Sequence, residues 1–264
     1  MCSFAEGLLH WVGIEPAALQ VSRLRRLVLR SADPHSMVAL HSLCAEIQAK
    51  RGQLAAALRS VQTAKSLLKG FGNLWQQGRL AITSSGISII NSDYLSALDY
   101  TEEALWCAEK SGSRELRIPA LGNFAHIKLA SESPEDAETA LGELVRVVRK
   151  GGGTEIGVRD TQMQLAMAAG NIALAASLSE EIQTISENLE GGYSYYGLWY
   201  LHTRVKWLYH TERVETGVAV ALDALPRIER MADRNLLSRM QLLAAEGLGR
   251  IGRESEGARL MAHA

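Results

Sequence analysis

The chain has 264 residues, of which 47% are hydrophobic and five are proline, so it can bury a core and carries few helix breakers. A net charge of −1 and a pI near 6.7 leave no bulk electrostatic argument for nucleic acid or a membrane surface. The N-terminus lacks a basic start and a long apolar run, and no stretch reaches the roughly eighteen apolar residues of a membrane span, so neither a signal peptide nor a membrane span is expected, and a cytoplasmic protein is.

Helical patterns follow one another along the chain. Residues 4–11 and 15–31 read as a first hairpin without a clear motif, a cap over 1–35. It holds Arg23, Arg25, Arg26 and Arg30, a basic cluster that reads first as a solvated helix face. The spacing then predicts 36–51 with 53–69, 73–90 with 93–111, 114–131 with 134–149, 154–169 with 172–188, 195–210 with 214–232, and 235–250 with 254–264. Cys44 and Cys107 fall inside these patterns as small hydrophobes, which suits a reducing compartment. Glycines at 151–153 and 191–192 mark loops between pairs. The last helix is shorter than its partners and lacks a polar closing face, so 1–264 is expected to be a single domain cut from a longer protein.

A turn recurs through these pairs. Gly52-Gln53 precedes Ala57, Ser92-Asp93 precedes Ala97, and Pro134-Glu135-Asp136 precedes Ala137. Gly170-Asn171 precedes Ala175, Glu212-Arg213 precedes Gly217, and Gly252-Arg253 precedes Gly257. The small residues are separated by 40, 40, 38, 42 and 40 positions. Glycine, serine or asparagine closes the first helix of each pair because these residues accept a left-handed or side-chain cap. The small residue sits one turn into the second helix, where paired helices approach most closely. Ala64, Ala104 and Ala224 follow seven positions later, two turns on and facing the same neighbour.

This arrangement resembles the tetratricopeptide repeat. The segment Ala45 through Ala64, with Gly52-Gln53 at its centre, and the pair Leu121-Gly122 are similar to that family's pattern over residues 36–264. The period near forty and the missing closing proline depart from it, and they resemble the long repeats of bacterial signalling and transcription regulators. The resemblance implies an all-α, right-handed superhelical solenoid of antiparallel hairpins, about six repeats behind the capping helices. It also implies an inner groove that binds a peptide, a partner protein or an effector domain of the same chain.

In the register of that groove stand Arg79, Asn123, His126, Asp160, Gln164 and Arg239. Pro119 occupies the position where carboxylate-clamping members carry lysine, which argues against a chaperone-tail ligand. Tyr193 to Tyr209 is the most aromatic segment, and Trp199, His202, Lys206 and Tyr209 step by three and four along one helix face. They read either as a peptide anchor or as rings filling space between long helices. No metal spacing, phosphate loop, nucleophile elbow or catalytic dyad is present, the Lys150-Gly-Gly-Gly-Thr154 run having its lysine on the wrong side. Neither an enzyme nor a cofactor is therefore expected. A sensor of a small ligand or signalling peptide is the alternative reading, and nucleic-acid binding rests only on the Arg23–Arg30 cluster.

Overall fold

The computed structural model describes residues 9, 13–131, 133–148, 152–189 and 194–262. Among them are thirteen α helices and no strand. They are α1 Ile14–Ser31, α2 Pro34–Lys50, α3 Leu54–Leu68, α4 Leu74–Ile90, α5 Tyr94–Ser111, α6 Arg114–Ala130 and α7 Pro134–Val147. Then follow α8 Gly153–Ala168, α9 Ile172–Glu187, α10 Tyr195–His210, α11 Val214–Met231, α12 Arg234–Arg250 and α13 Glu254–Met261. The expected helix at 4–11 lies outside the described residues apart from Leu9, which is buried. The chain forms two compact units, Met1–Val148 with α1–α7 and Arg149–Ala264 with α8–α13.

Each hairpin turn is three residues long, from Lys50/Leu54 through Arg250/Glu254. Its middle residue is left-handed at Gly52, Ser92, Gly170, Glu212 and Gly252, with φ between 57° and 76°. That geometry lets the next amide reach back to the carbonyl five residues earlier. Gln53 donates to Gln48, Asp93 to Ser88, Asn171 to Ala166, Arg213 to Leu208 and Arg253 to Leu248, all at 2.8–2.9 Å. Glu212 therefore adopts a conformation that glycine takes without strain, imposed by the helices on either side.

A second regularity marks the helices that open each hairpin. Asp33, Asn73, Ser113, Ser194 and Asp233 are their N-caps, and each side chain accepts a hydrogen bond from the amide three residues on. These caps stand 40, 40, 81 and 39 positions apart, the double interval spanning α8, whose N-cap Gly152 makes no side-chain hydrogen bond.

The small residues stand where expected. Ala57, Ala97, Ala137 and Ala175 are fully buried, as are Ala64, Ala104 and Ala224. In the first unit, Gly78 lies so close to α5 and α6 that a Cβ there meets Leu116 Cδ1 at 2.7 Å and Cys107 Cβ at 2.9 Å. Burial pushes the Cys107 thiol up to about 11, with Glu103 adding to the effect. The second unit packs around Tyr200, Leu198, Leu208, Ile182 and Ile228.

Candidate ligand-binding face

The residues expected to line a groove fall into two sets, one in each unit. In the first unit α2 packs beside α4 and α4 beside α6. Arg79 sits over the Trp75 ring at 5.8 Å. Asn123 Nδ2 donates to Ser85 Oγ at 3.2 Å, and Ser85 shares a 2.7 Å hydrogen bond with buried Thr101, which itself donates to the Ala97 carbonyl. Asn123 is thereby tied into the α4–α5–α6 contact. His126 is half-buried on the same helix.

In the second unit the corresponding helices α8, α10 and α12 pack side by side. Here Asp160, Gln164, Trp199, His202, Lys206 and Arg239 come together. Asp160 is buried on α8, and its Oδ2 accepts from Gln164 Nε2 at 3.0 Å while Oδ1 has no hydrogen-bond partner. Burial pushes its carboxyl up to about 6, against the pull of the Thr203 hydroxyl, the Gln164 amide and the Lys206 charge. Trp199 meets His202 edge to face at 6.1 Å and Tyr195 at 6.5 Å. The Tyr195 hydroxyl reaches the α12 cap, donating to Asp233 Oδ2 at 3.1 Å. Burial, then Lys206 and Arg239, push His202 down to about 4, so it is neutral at physiological pH.

Lys206 and Arg239 are exposed. Arg239 donates to Asn235 Oδ1 at 3.1 Å, and no carboxylate pairs with either cation among the described residues. Four arginines of this unit do form ion pairs, Arg159 with Glu155 and Glu181, Arg227 with Asp223, Arg250 with Glu212 and Arg253 with Glu256, while Arg204, Arg213, Arg230, Arg234 and Arg259 are without one among the described residues.

Tyr209 is the correction. It does not line this face but is buried, its hydroxyl donating to the Leu243 carbonyl at 2.9 Å and its ring set against Gly217 and Gly247. Steps of three, four and three residues fall short of the 3.6-residue turn. Over the ten positions from Trp199 the drift carries Tyr209 roughly 80° round the helix, toward α11 and α12. The aromatic run thus divides: Tyr200 and Tyr209 fill the core, Trp199 and Tyr195 border the open face, and Tyr193 lies outside the described residues. Thr203 and Asn235 complete the site and were not singled out from sequence. Each lies one helical turn or less from a residue that was, which is the signal that locates them.

The face offers two unpaired cations, a half-buried aromatic pair and one buried carboxylate oxygen wanting a donor. It suits a ligand with both N–H groups and negative charge. No nucleophile stands beside a base among these residues.

No family model matches the sequence, and no curated protein matches it. Solved structures do. The quorum sensor NprR in complex with its cognate peptide NprX aligns with a TM-score of 0.61 and 13% identity, over 94% of this chain and 73% of that one. Its apo form from B. thuringiensis aligns at 0.51 and 10%, over 94% and 80%. A signal-transduction ATPase with a tetratricopeptide repeat sensor from Pyrococcus horikoshii aligns at 0.59 and 12%. That match covers 94% of this chain and 40% of the archaeal protein, so the chain spans about two fifths of its length. At such identities the likeness establishes a shared fold.

Proposed function

We propose that this chain, which has the tetratricopeptide-type repeat fold, is a regulatory or sensing module that binds a peptide or protein segment on the α8–α10–α12 face. The observation that carries the reading is the pair of exposed, unpaired cations, Lys206 and Arg239, beside a buried carboxylate with one unsatisfied oxygen. A buried carboxylate oxygen without a donor is costly unless a ligand completes it, and the two solvated cations beside it are free to meet negative charge. A peptide does so with backbone N–H groups for Asp160 and carboxylates for the cations, while Trp199 supplies contact area at low entropic cost. The bound peptide in the NprR complex supports a peptide ligand for this fold. The repeat sensor of the Pyrococcus ATPase supports a place within a larger regulator, and a bacterial transcription regulator is the setting we propose.

The test is an array of decapeptides probed with the 264-residue chain, followed by hydrogen exchange with the best binder. Protection of α8, α10 and α12 is expected, together with at least a tenfold loss of affinity in Lys206→Glu/Arg239→Glu, equivalent to about 1.4 kcal/mol or more. An array without binders, protection confined to other helices, or unchanged affinity in the variant overturns the reading.

A further inference from the structure

We infer that the first unit carries a self-complementary interface, through which two copies of this chain pair about a two-fold axis by setting α1 of each copy on α5 of the other. In the first unit α2, α4 and α6 form one layer, so α1, α3, α5 and α7 form the other. The outward surfaces of α1 and α5 are unlike an ordinary solvated helix face. On α1, Leu19, Arg23, Arg26 and Arg30 share one stripe by helical spacing, flanked by Leu27 and Leu29. On α5 the outward stripe is Leu95, Asp99, Glu102, Trp106 and Glu109.

These apolar side chains are unusually open for their type, Leu19 at 56%, Leu95 at 83% and Trp106 at 47% exposure. Contiguous exposed apolar side chains rimmed by charge mark an association surface. The charges are also unspent. Arg51 pairs with Glu15, Arg117 with Glu143 and Lys128 with Asp136 elsewhere in this unit, but none of the three arginines of the α1 stripe or the three carboxylates of the α5 stripe has an ion pair among the described residues.

The two stripes match. On α1 the first two charges stand four and seven residues after Leu19; on α5 they stand four and seven after Leu95, with opposite sign. Beside Trp106 a cleft of roughly 460 Å³, bordered by Leu105, Leu121, Glu109 and Glu143, has room for a leucine from the facing helix. Because the basic and acidic stripes flank α3 in one layer, a two-fold axis passing near α3 satisfies both at once and closes the assembly at two copies. Three helices about 10 Å apart and about 25 Å long present on the order of 700 Å², close to the ~800 Å² per partner of a stable interface.

Sedimentation velocity of the 264-residue chain tests this. A dimer is expected that loosens as salt rises. Arg23→Glu/Arg26→Glu and, separately, Asp99→Lys/Glu102→Lys are expected to be monomers, each with the dimer dissociation constant raised at least tenfold. Mixing these two variants is expected to restore a one-to-one dimer, because each then offers the other two matched stripes. All four positions are exposed, so circular dichroism should show unchanged helix content, and Arg23→Ala/Arg26→Ala provides a milder version. A native chain that stays monomeric at 100 μM, a dimer indifferent to either pair of reversals, or a mixture that stays monomeric overturns the inference.

Discussion

In the first unit α4 meets its neighbours through Gly78, Ala81, Ser84 and Ser85, with Ala104 and Ala120 opposite. In the second unit the equivalent helix α10 buries Tyr200 and Tyr209. One unit closes the distance by removing side chains and the other fills it with rings, and the glycines show the cost of each. A Cβ on Gly247 falls within the Tyr209 hydroxyl and lies 2.5 Å from its Cζ, and one on Gly157 is 2.8 Å from Tyr196 Cδ1; in the first unit the tight glycine is Gly78, against aliphatic Leu116 and Cys107, while Gly122 and Gly142 meet nothing within 4 Å. The repeat frame fixes where helices cross but leaves open how the space is filled. Tolerance to substitution should therefore differ between the units.

The largest effect should come from Gly247→Ala. The new methyl must displace Tyr209, breaking its hydrogen bond to Leu243 and overpacking Val218, for a loss of about 3–4 kcal/mol in urea denaturation. Adding Tyr209→Phe should return part of that loss, since the hydroxyl is the nearest atom. If Gly247→Ala is neutral, the second unit is not held by its rings.

Asp160→Asn comes next, with a sign set by pH. The folded carboxyl titrates at about 6, above its ordinary value of 3.8. The folded state therefore holds this proton more tightly than the unfolded chain, and the stability so gained below pH 3.8 is lost as pH rises through 6. The variant should be more stable than the native chain by up to about 3 kcal/mol above pH 6, and by nothing below pH 3.8. His202 acts the other way: with a folded value of about 4 against 6.5, it favours folding above pH 6.5 and loses that contribution as pH falls toward 4.

Hydrogen bonds give a smaller contrast. Tyr200→Phe removes the hydroxyl that bonds both the Ser179 hydroxyl and carbonyl in the second unit, leaving the Ser179 hydroxyl its 3.5 Å contact with Gln183, and should cost about 1.5 kcal/mol. Thr101→Val leaves Ser85 with its Asn123 contact in the first and should cost about 1 kcal/mol. The smallest effect has the opposite sign. Gly142→Ala, at an exposed position inside α7, should stabilise by about 0.5–1 kcal/mol because alanine favours the helix and nothing obstructs its methyl.

Much of this was legible in the sequence because turns are written in local chemistry. The small residues from Ala57 to Gly257 and the glycines before them identify the hairpins without tertiary information. The caps Asp33, Asn73, Ser113, Ser194 and Asp233 carry a second, equally local record of the repeat. Side-chain direction was less legible. Trp199 and Tyr209 are alike in type and lie on one helix, and only the accumulated drift of the helical turn separates an open ring from a buried one. Asn123 reads as a groove asparagine, yet its amide is committed to Ser85 on another helix. Nothing near it in sequence announces that commitment. The charge stripes of α1 and α5 acquire meaning only when folding places both helices in one layer.

The three-residue turn has a consequence for how such a chain can change over generations. All six hairpin turns have that length, whereas the connections between hairpins run to two, five or seven residues. A residue added inside a turn shifts the following helix by about 100° and turns its small residue away from its neighbour. The same residue added in the five-residue connection between α3 and α4 lengthens a loop and leaves the hairpin turns as they are. Insertions and deletions are thus heritable at one class of junction and lethal to packing at the other. The spacing of 42 after Ala175 reflects the seven-residue connection there, and the spacing of 38 before it reflects shorter helices. The turn is thus the constant part of this chain's repeat, while helix and linker lengths vary around it.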